Sequence, residues 1–154
     1  MKNKALTIIG IVALILVLGG LVLCGVGGFC YYRYTGRYAT TEKAGEEFGR
    51  TTDQQGCVDE GLRQTRNAPH ETFAERYETL FIDAATVGCL RTAKSTANFC
   101  EDVPRPRDSQ RDLAWKELQC AKAGLVGRPP CNKVFDRVIT ECGKIKQKTV
   151  YYPN

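Results

Sequence analysis

The sequence predicts an all-α protein: an N-terminal transmembrane helix followed by a small disulfide-stapled bundle of three to four helices. Three observations predict it. From Ala5 to Tyr32 there are 28 consecutive positions without a charged residue, more than the ~20 helical residues that cross a hydrocarbon core. Six of the eight cysteines, Cys57, Cys89, Cys100, Cys120, Cys131 and Cys142, lie beyond that run. An even set of thiols spread through a small domain reads as a disulfide framework, which persists in oxidising compartments. Beyond the run, apolar residues recur at spacings of three and four, and Pro and Gly divide the chain into segments.

The N-terminus comes first in the expected order. Residues 1–4 read as a short cytoplasmic N-terminus, 5–32 as the transmembrane helix, 33–50 as a juxtamembrane stalk or helix, 51–148 as the disulfide-rich helical domain and 149–154 as a tail. A cleaved signal peptide is the rival reading, since Lys2 and Lys4 form a basic start. Its apolar region runs about 7–15 residues and ends in a small-x-small site such as Ala-x-Ala, and this run is longer and no Ala-x-Ala triplet follows it. Lys2 and Lys4 on one flank face Arg33, Arg37 and Lys43 on the other, so the positive-inside bias barely discriminates. The cysteines decide the orientation: N-terminus cytoplasmic, C-terminal domain periplasmic or extracellular. Within the span, Gly20, Cys24 and Gly28 fall at every fourth position. Small residues on one face let membrane helices pack closely, so these three are the expected membrane-packing positions and self-association through this helix is a further expectation.

Four segments follow. Thr41 to Arg66 is expected as a kinked helix, with Gly45, Gly49 and Gly56 on a face that a neighbouring backbone could approach. His70 to Phe99 is expected as the long central helix, with Phe73, Tyr77, Leu80, Ala84 and Val87 on one stripe and Ile82, Ala85, Cys89, Ala93, Thr96 and Cys100 on another. Val103 to Arg107 is an extended connector around Pro104 and Pro106. Ser109 with Asp112 reads as a helix start, running through Leu113, Ala114, Leu118 and Ala121 to a left-handed end at Gly124. After Pro129 and Pro130, the residues Cys131, Val134, Phe135, Val138, Ile139 and Cys142 form the cleanest amphipathic stripe, closed by Gly143 and followed by a loose tail.

The cysteines recur at a spacing of eleven at Cys89–Cys100, Cys120–Cys131 and Cys131–Cys142, about three helical turns. Folding the second and third helices back about the Pro104–Pro106 loop gives the pairs Cys89–Cys120, Cys100–Cys142 and Cys57–Cys131. No Cys-x-x-Cys pair and no close set of zinc ligands occurs, and His70 is the only histidine. No nucleophile elbow, metalloprotease or phosphate-loop pattern is present. No cofactor, metal or nucleic acid is expected.

Charge divides the chain. Residues 42–102 carry 7 basic and 12 acidic side chains, whereas residues 105–148 carry 11 basic and 5 acidic. Opposed halves of this kind attract one another within a fold; the sharper reading is a basic face for an anionic ligand, formed by Arg105, Arg107, Arg111, Lys133, Arg137 and Lys144. An enzyme with a dispersed carboxylate site would draw on Glu75, Glu78 and Asp83. The principal expectation is a non-catalytic, membrane-anchored interaction module, a subunit of an envelope or membrane complex whose partners are the bilayer and another membrane or envelope protein.

Overall fold

The computed structural model describes residues 2–70, 73–106 and 109–151, with side chains described for 18–29, 31–70, 74–106 and 110–146. Its helices are α1 (Lys2–Gly49), α2 (Gln54–Asn67), α3 (Phe73–Thr92), α4 (Ser109–Lys122) and α5 (Pro129–Tyr151). The helical fold class expected from the sequence is present, and no strand occurs among the described residues. The chain divides into two units, residues 1–37 and 38–154.

In the first unit, Leu18, Leu21, Val22, Leu23, Val26 and Phe29 of α1 are all exposed. Nothing approaches within 4 Å of a Cβ built on Gly20 or Gly28, and Cys24 is an exposed free thiol. Among the described residues no helix is long and apolar enough to cross a membrane. Of the expected span, residues 5–17 and Cys30 lie outside the described side chains.

The second unit begins at Tyr38, ahead of the boundary expected at residue 51, because the last turns of α1 pack on α3. Glycine makes that approach possible. A Cβ on Gly45 would strike the Ala85 backbone, one on Gly49 the Cys89 carbonyl, and one on Gly88 the Glu42 carbonyl. Thr92 Oγ1 donates to the Glu46 carbonyl across this crossing at 2.8 Å, and Arg91 pairs with Glu42. Gly45 and Gly49 thus serve the close approach expected of them.

The expected kinked helix is instead two. Thr51 Oγ1 donates to the Phe48 carbonyl at 2.7 Å, closing α1, and the Asp53 carboxylate accepts from Gly56 N at 2.9 Å, opening α2. A side-chain oxygen at this position satisfies an amide the helix leaves unpaired. The break resets the helical phase. Cys57, which falls off any stripe continued from Phe48, becomes buried together with Val58, Gly61, Leu62 and Thr65. Gln54 N donates to the Lys94 carbonyl and Lys94 N to the Thr52 carbonyl, both at 3.1 Å, which latches the start of α2 to the end of α3.

Helix α3 is central, packing on α2 and α5 as well as on the end of α1. It stops at Thr92, earlier than Phe99, and one expected stripe is corrected: Tyr77 and Leu80 are exposed. Glu75, Thr79, Asp83 and Thr86 are buried instead. Thr79 and Thr86 satisfy themselves by donating to the carbonyls four residues back, at 2.6 and 2.7 Å. Helix α5 buries its whole expected stripe from Cys131 to Cys142. It does not end at Gly143 but runs on to Tyr151, and the Pro106 ring fills the space beside Gly143. The expected tail from Lys144 is therefore helical through Tyr151; residues 152–154 lie outside the described chain.

Cysteine pairing is Cys57–Cys89, Cys100–Cys142 and Cys120–Cys131. Cys100–Cys142 is one of the three expected pairs. Cys89–Cys120 and Cys57–Cys131 are corrected, because α4 does not fold back on α3. It forms a hairpin with α5, through a turn in which Leu125 N donates to the Cys120 carbonyl at 2.8 Å and Gly124 takes φ +70°. That turn brings Cys120 to Cys131, and the phase change before α2 brings Cys57 to Cys89.

Two outcomes are expected. Gly45→Ala should lower the free energy of unfolding by about 1–3 kcal/mol through overpacking against Ala85, whereas Gly36→Ala, where nothing lies within 4 Å of the added carbon, should not. Denaturant titration of both variants measures the difference. Removing Cys100–Cys142 by paired alanine substitution should cost about 2–5 kcal/mol, read in the same titration without reductant.

Candidate functional site

Three elements build an open concave feature of the second unit. α2 and α4 both run antiparallel to α5: Arg128, just ahead of α5, bonds to the Ala68 carbonyl at the end of α2, and Cys120–Cys131 joins the end of α4 to the start of α5. α2 and α4 each pack on α5. A groove of about 520 Å³ lies between them, floored by Phe135 and Val138 of α5 and closed at one end by the connector residues Thr96 to Val103.

Its walls follow from helical spacing. On α2, Gln55, Val58, Leu62 and Arg66 recur at three and four and face the groove; on α4, Trp115, Gln119 and Lys122 do the same, with Ala123 just beyond the helix end. Val58, Leu62, Phe135 and Val138 are core residues, so the floor is apolar and fixed. Trp115, half-buried, meets Phe135 edge to face with ring centroids 5.5 Å apart, an arrangement the ring quadrupoles favour. Arg66 and Lys122 stand in the last turns of two parallel helices and so mark the same end of the groove. Both are exposed. Asn98, at φ +60°, shapes the opposite end.

The face of α4 corrects the sequence reading. Leu113 and Leu118, expected inside, are 51% and 53% exposed, and Ala114 and Ala121 are exposed as well. The face that packs is Trp115, Lys116, Gln119 and Cys120, with Lys116 Nζ 2.5 Å from Asp136. Leu118 therefore stands on the outer rim of the groove as unpartnered apolar surface. No protein-family model, curated protein or solved structure matches the chain.

The sequence-derived site residues fall elsewhere. Glu75 and Arg128, whose side chains are 9% and 8% exposed, form an ion pair at 2.9 Å. Arg128 also donates to the Ala68 carbonyl at 2.9 Å and to His70 Nε2 at 2.6 Å. A guanidinium only donates, so His70 accepts at Nε2 and carries its proton on Nδ1. Asp83 receives both arms of Arg137 at 2.6 Å, and that hydrogen bond raises the guanidinium further above its ordinary value. Two of the three acidic residues of the expected cluster are thus the anionic halves of structural ion pairs. Neither is a free acid–base group.

The expected anion-binding face does not assemble as such. Arg137 is held by Asp83, Lys144 lies 2.5 Å from Glu141 and Lys133 lies 3.6 Å from Asp136. Arg105 is exposed on the connector, Arg111 is exposed on α4 and has a partner, and Arg107 lies outside the described residues. The charge asymmetry is largely consumed inside the fold, as Arg128 and Arg137 of the basic half meet Glu75 and Asp83 of the acidic half. The groove cations Arg66 and Lys122 were missed. Their signal in the sequence is a cation on the last turn of each of two flanking helices, visible only once the helix ends are placed.

Removing one member of a buried ion pair strands the other. Arg128→Met should therefore lower unfolding free energy by about 3–5 kcal/mol, and adding Glu75→Leu should restore most of that loss. Chemical denaturation of the single and double variants gives the comparison; a single-variant loss below about 1 kcal/mol would show that this pair does not hold the helix ends.

Proposed function

We propose that the protein is a non-catalytic interaction module, anchored in a membrane by residues 5–32 and presenting its disulfide-stapled helical domain on the periplasmic or extracellular side. Its role is that of a subunit of a membrane or envelope complex. The observation that carries the reading is the open groove between α2 and α4, set in a domain whose other helix contacts are closed by three disulfides and two buried or half-buried ion pairs. A fixed apolar floor between walls that carry exposed polar and cationic side chains, with Leu113 and Leu118 exposed on α4, suits a protein surface that is completed by a partner.

The anchor is supported by the uncharged run from Ala5 to Tyr32 and by the exposure of every large apolar side chain described between Leu18 and Phe29. Tyr31, Tyr32, Tyr34 and Tyr38 follow with Arg33 and Arg37, the composition of a membrane–water interface. Arg33 lies 6.0 Å from the Phe29 ring centroid. Disulfides support the oxidising side of the membrane.

Alkaline extraction of membranes from expressing cells should leave the full chain in the pellet and release a chain lacking residues 5–32. Protease added outside intact cells or spheroplasts should reach the helical domain. A photo-crosslinking residue at position 118 should capture another membrane or envelope protein. Alkaline release of the intact chain would remove the anchor, and protection of the domain from external protease would reverse the topology.

A further inference from the structure

We propose that the α2–α4 groove receives an extended segment of a partner protein in which apolar side chains lie beside carboxylates. This rests on the groove being the binding face of the module and names what that face takes.

Charge identifies one half of the ligand. Arg91, Lys116, Arg128 and Arg137 each have a carboxylate within 4 Å. Arg66 and Lys122 have none among the described residues, although both line the groove at its same end. Against the one carboxylate in the lining, Asp102 on the connector, the two cations leave the groove net positive, and the apolar floor strengthens their attraction for an anion by lowering the local dielectric. The floor identifies the other half. Val58, Leu62, Phe135 and the half-buried Trp115 leave an apolar seat for a side chain, and aromatic seats of this kind are where binding energy concentrates.

The walls decide between a peptide and a free acyl chain. Gln55 and Gln119 line the groove from opposite helices; Gln55 Nε2 donates to Asp59 at 3.0 Å and leaves its carbonyl oxygen as an acceptor, whereas the Gln119 amide offers both a donor and an acceptor. A peptide backbone matches these groups; a hydrocarbon chain covering the half-buried Gln119 takes its amide out of water without a partner. Leu118 on the outer rim extends the apolar contact along α4 beyond the groove itself.

The test uses the full chain in detergent micelles, panned against a randomised peptide display library, in parallel with the doubly charge-reversed Arg66→Glu, Lys122→Glu variant. Both substituted positions are exposed, and circular dichroism with non-reducing peptide mapping verifies that the variant keeps its helices and disulfides. Enriched peptides should share a carboxylate next to an aromatic or branched aliphatic residue. They should shift the emission of Trp115, the only tryptophan in the chain, to shorter wavelength on binding. Charge reversal should weaken them tenfold or more, and added salt should weaken them on the parent protein. The proposal is overturned by a consensus without carboxylates, by equal binding to the reversed variant, by an unmoved Trp115 emission, or by no enrichment over an unrelated anchored protein. A saturable Trp115 response to decanoate, abolished by charge reversal and with no peptide enriched, would assign the groove to an acyl carboxylate and overturn it too. None of these outcomes depends on membrane extraction or topology, so this inference and the anchored-module reading can fail separately.

Discussion

One buried guanidinium organises the domain. Arg128 stands just ahead of α5 and reaches the end of α2 through the Ala68 carbonyl, the following turn through His70, and the start of α3 through Glu75. Three helix ends converge on it. A charge is retained in such a place only if its donors are satisfied, and the planar five-donor geometry of arginine meets that condition with partners in three directions. A lysine could not span them. At the opposite end of the bundle the work is covalent and backbone-mediated, through Cys100–Cys142 and the Gln54–Lys94 hydrogen bond. Between these ends, apolar packing of α3 on α5 fills the core, and the groove lies where α2 and α4 are each fastened to α5.

Much of this was legible in the sequence, and the illegible parts share a cause. The α5 stripe was readable because every buried position from Cys131 to Cys142 is apolar. The Gly45–Gly49 face was readable because glycine at helical spacing has few other uses. Asp83 and Glu75 were misread because a buried carboxylate looks like a surface residue until its arginine arrives from α5, more than fifty residues away. Leu113 and Leu118 were misread for the converse reason: apolar periodicity reports a helix face without saying whether anything covers it. The cysteine pairs needed the helix break at residues 50–53 and the choice of partner for α4. Neither is a property of the cysteines. The groove was beyond reach altogether, since it depends on how far apart α2 and α4 are set on α5.

The division of charge shows how a sequence feature can point toward function and be spent on structure. An acidic first half and a basic second half suggest a surface for anions. In the fold the strongest of those charges neutralise each other across the α3–α5 contact, where they fix which face of α3 turns inward. Cations left over for recognition come from elsewhere, from the final turns of α2 and α4. There they also complement the partial negative charge at a helix C-terminus, so they stabilise the helices that carry them whether or not a ligand is present.

The α4–α5 hairpin has a mechanical meaning. Its only covalent tie, Cys120–Cys131, spans a separation of 11 residues next to the turn, and Gly124 and Gly127 both take positive φ there. Swinging the far end of α4 away from α2 would break no disulfide, and among the described residues the contacts that hold that end are the Trp115–Phe135 and Lys116–Asp136 pairs with α5. The remaining staples hold α2, α3 and α5 as a single block. One wall of the groove is therefore built like a clasp on a riveted frame, pivoting at its own clamp, and the aperture can be set by what enters it without loosening the rest.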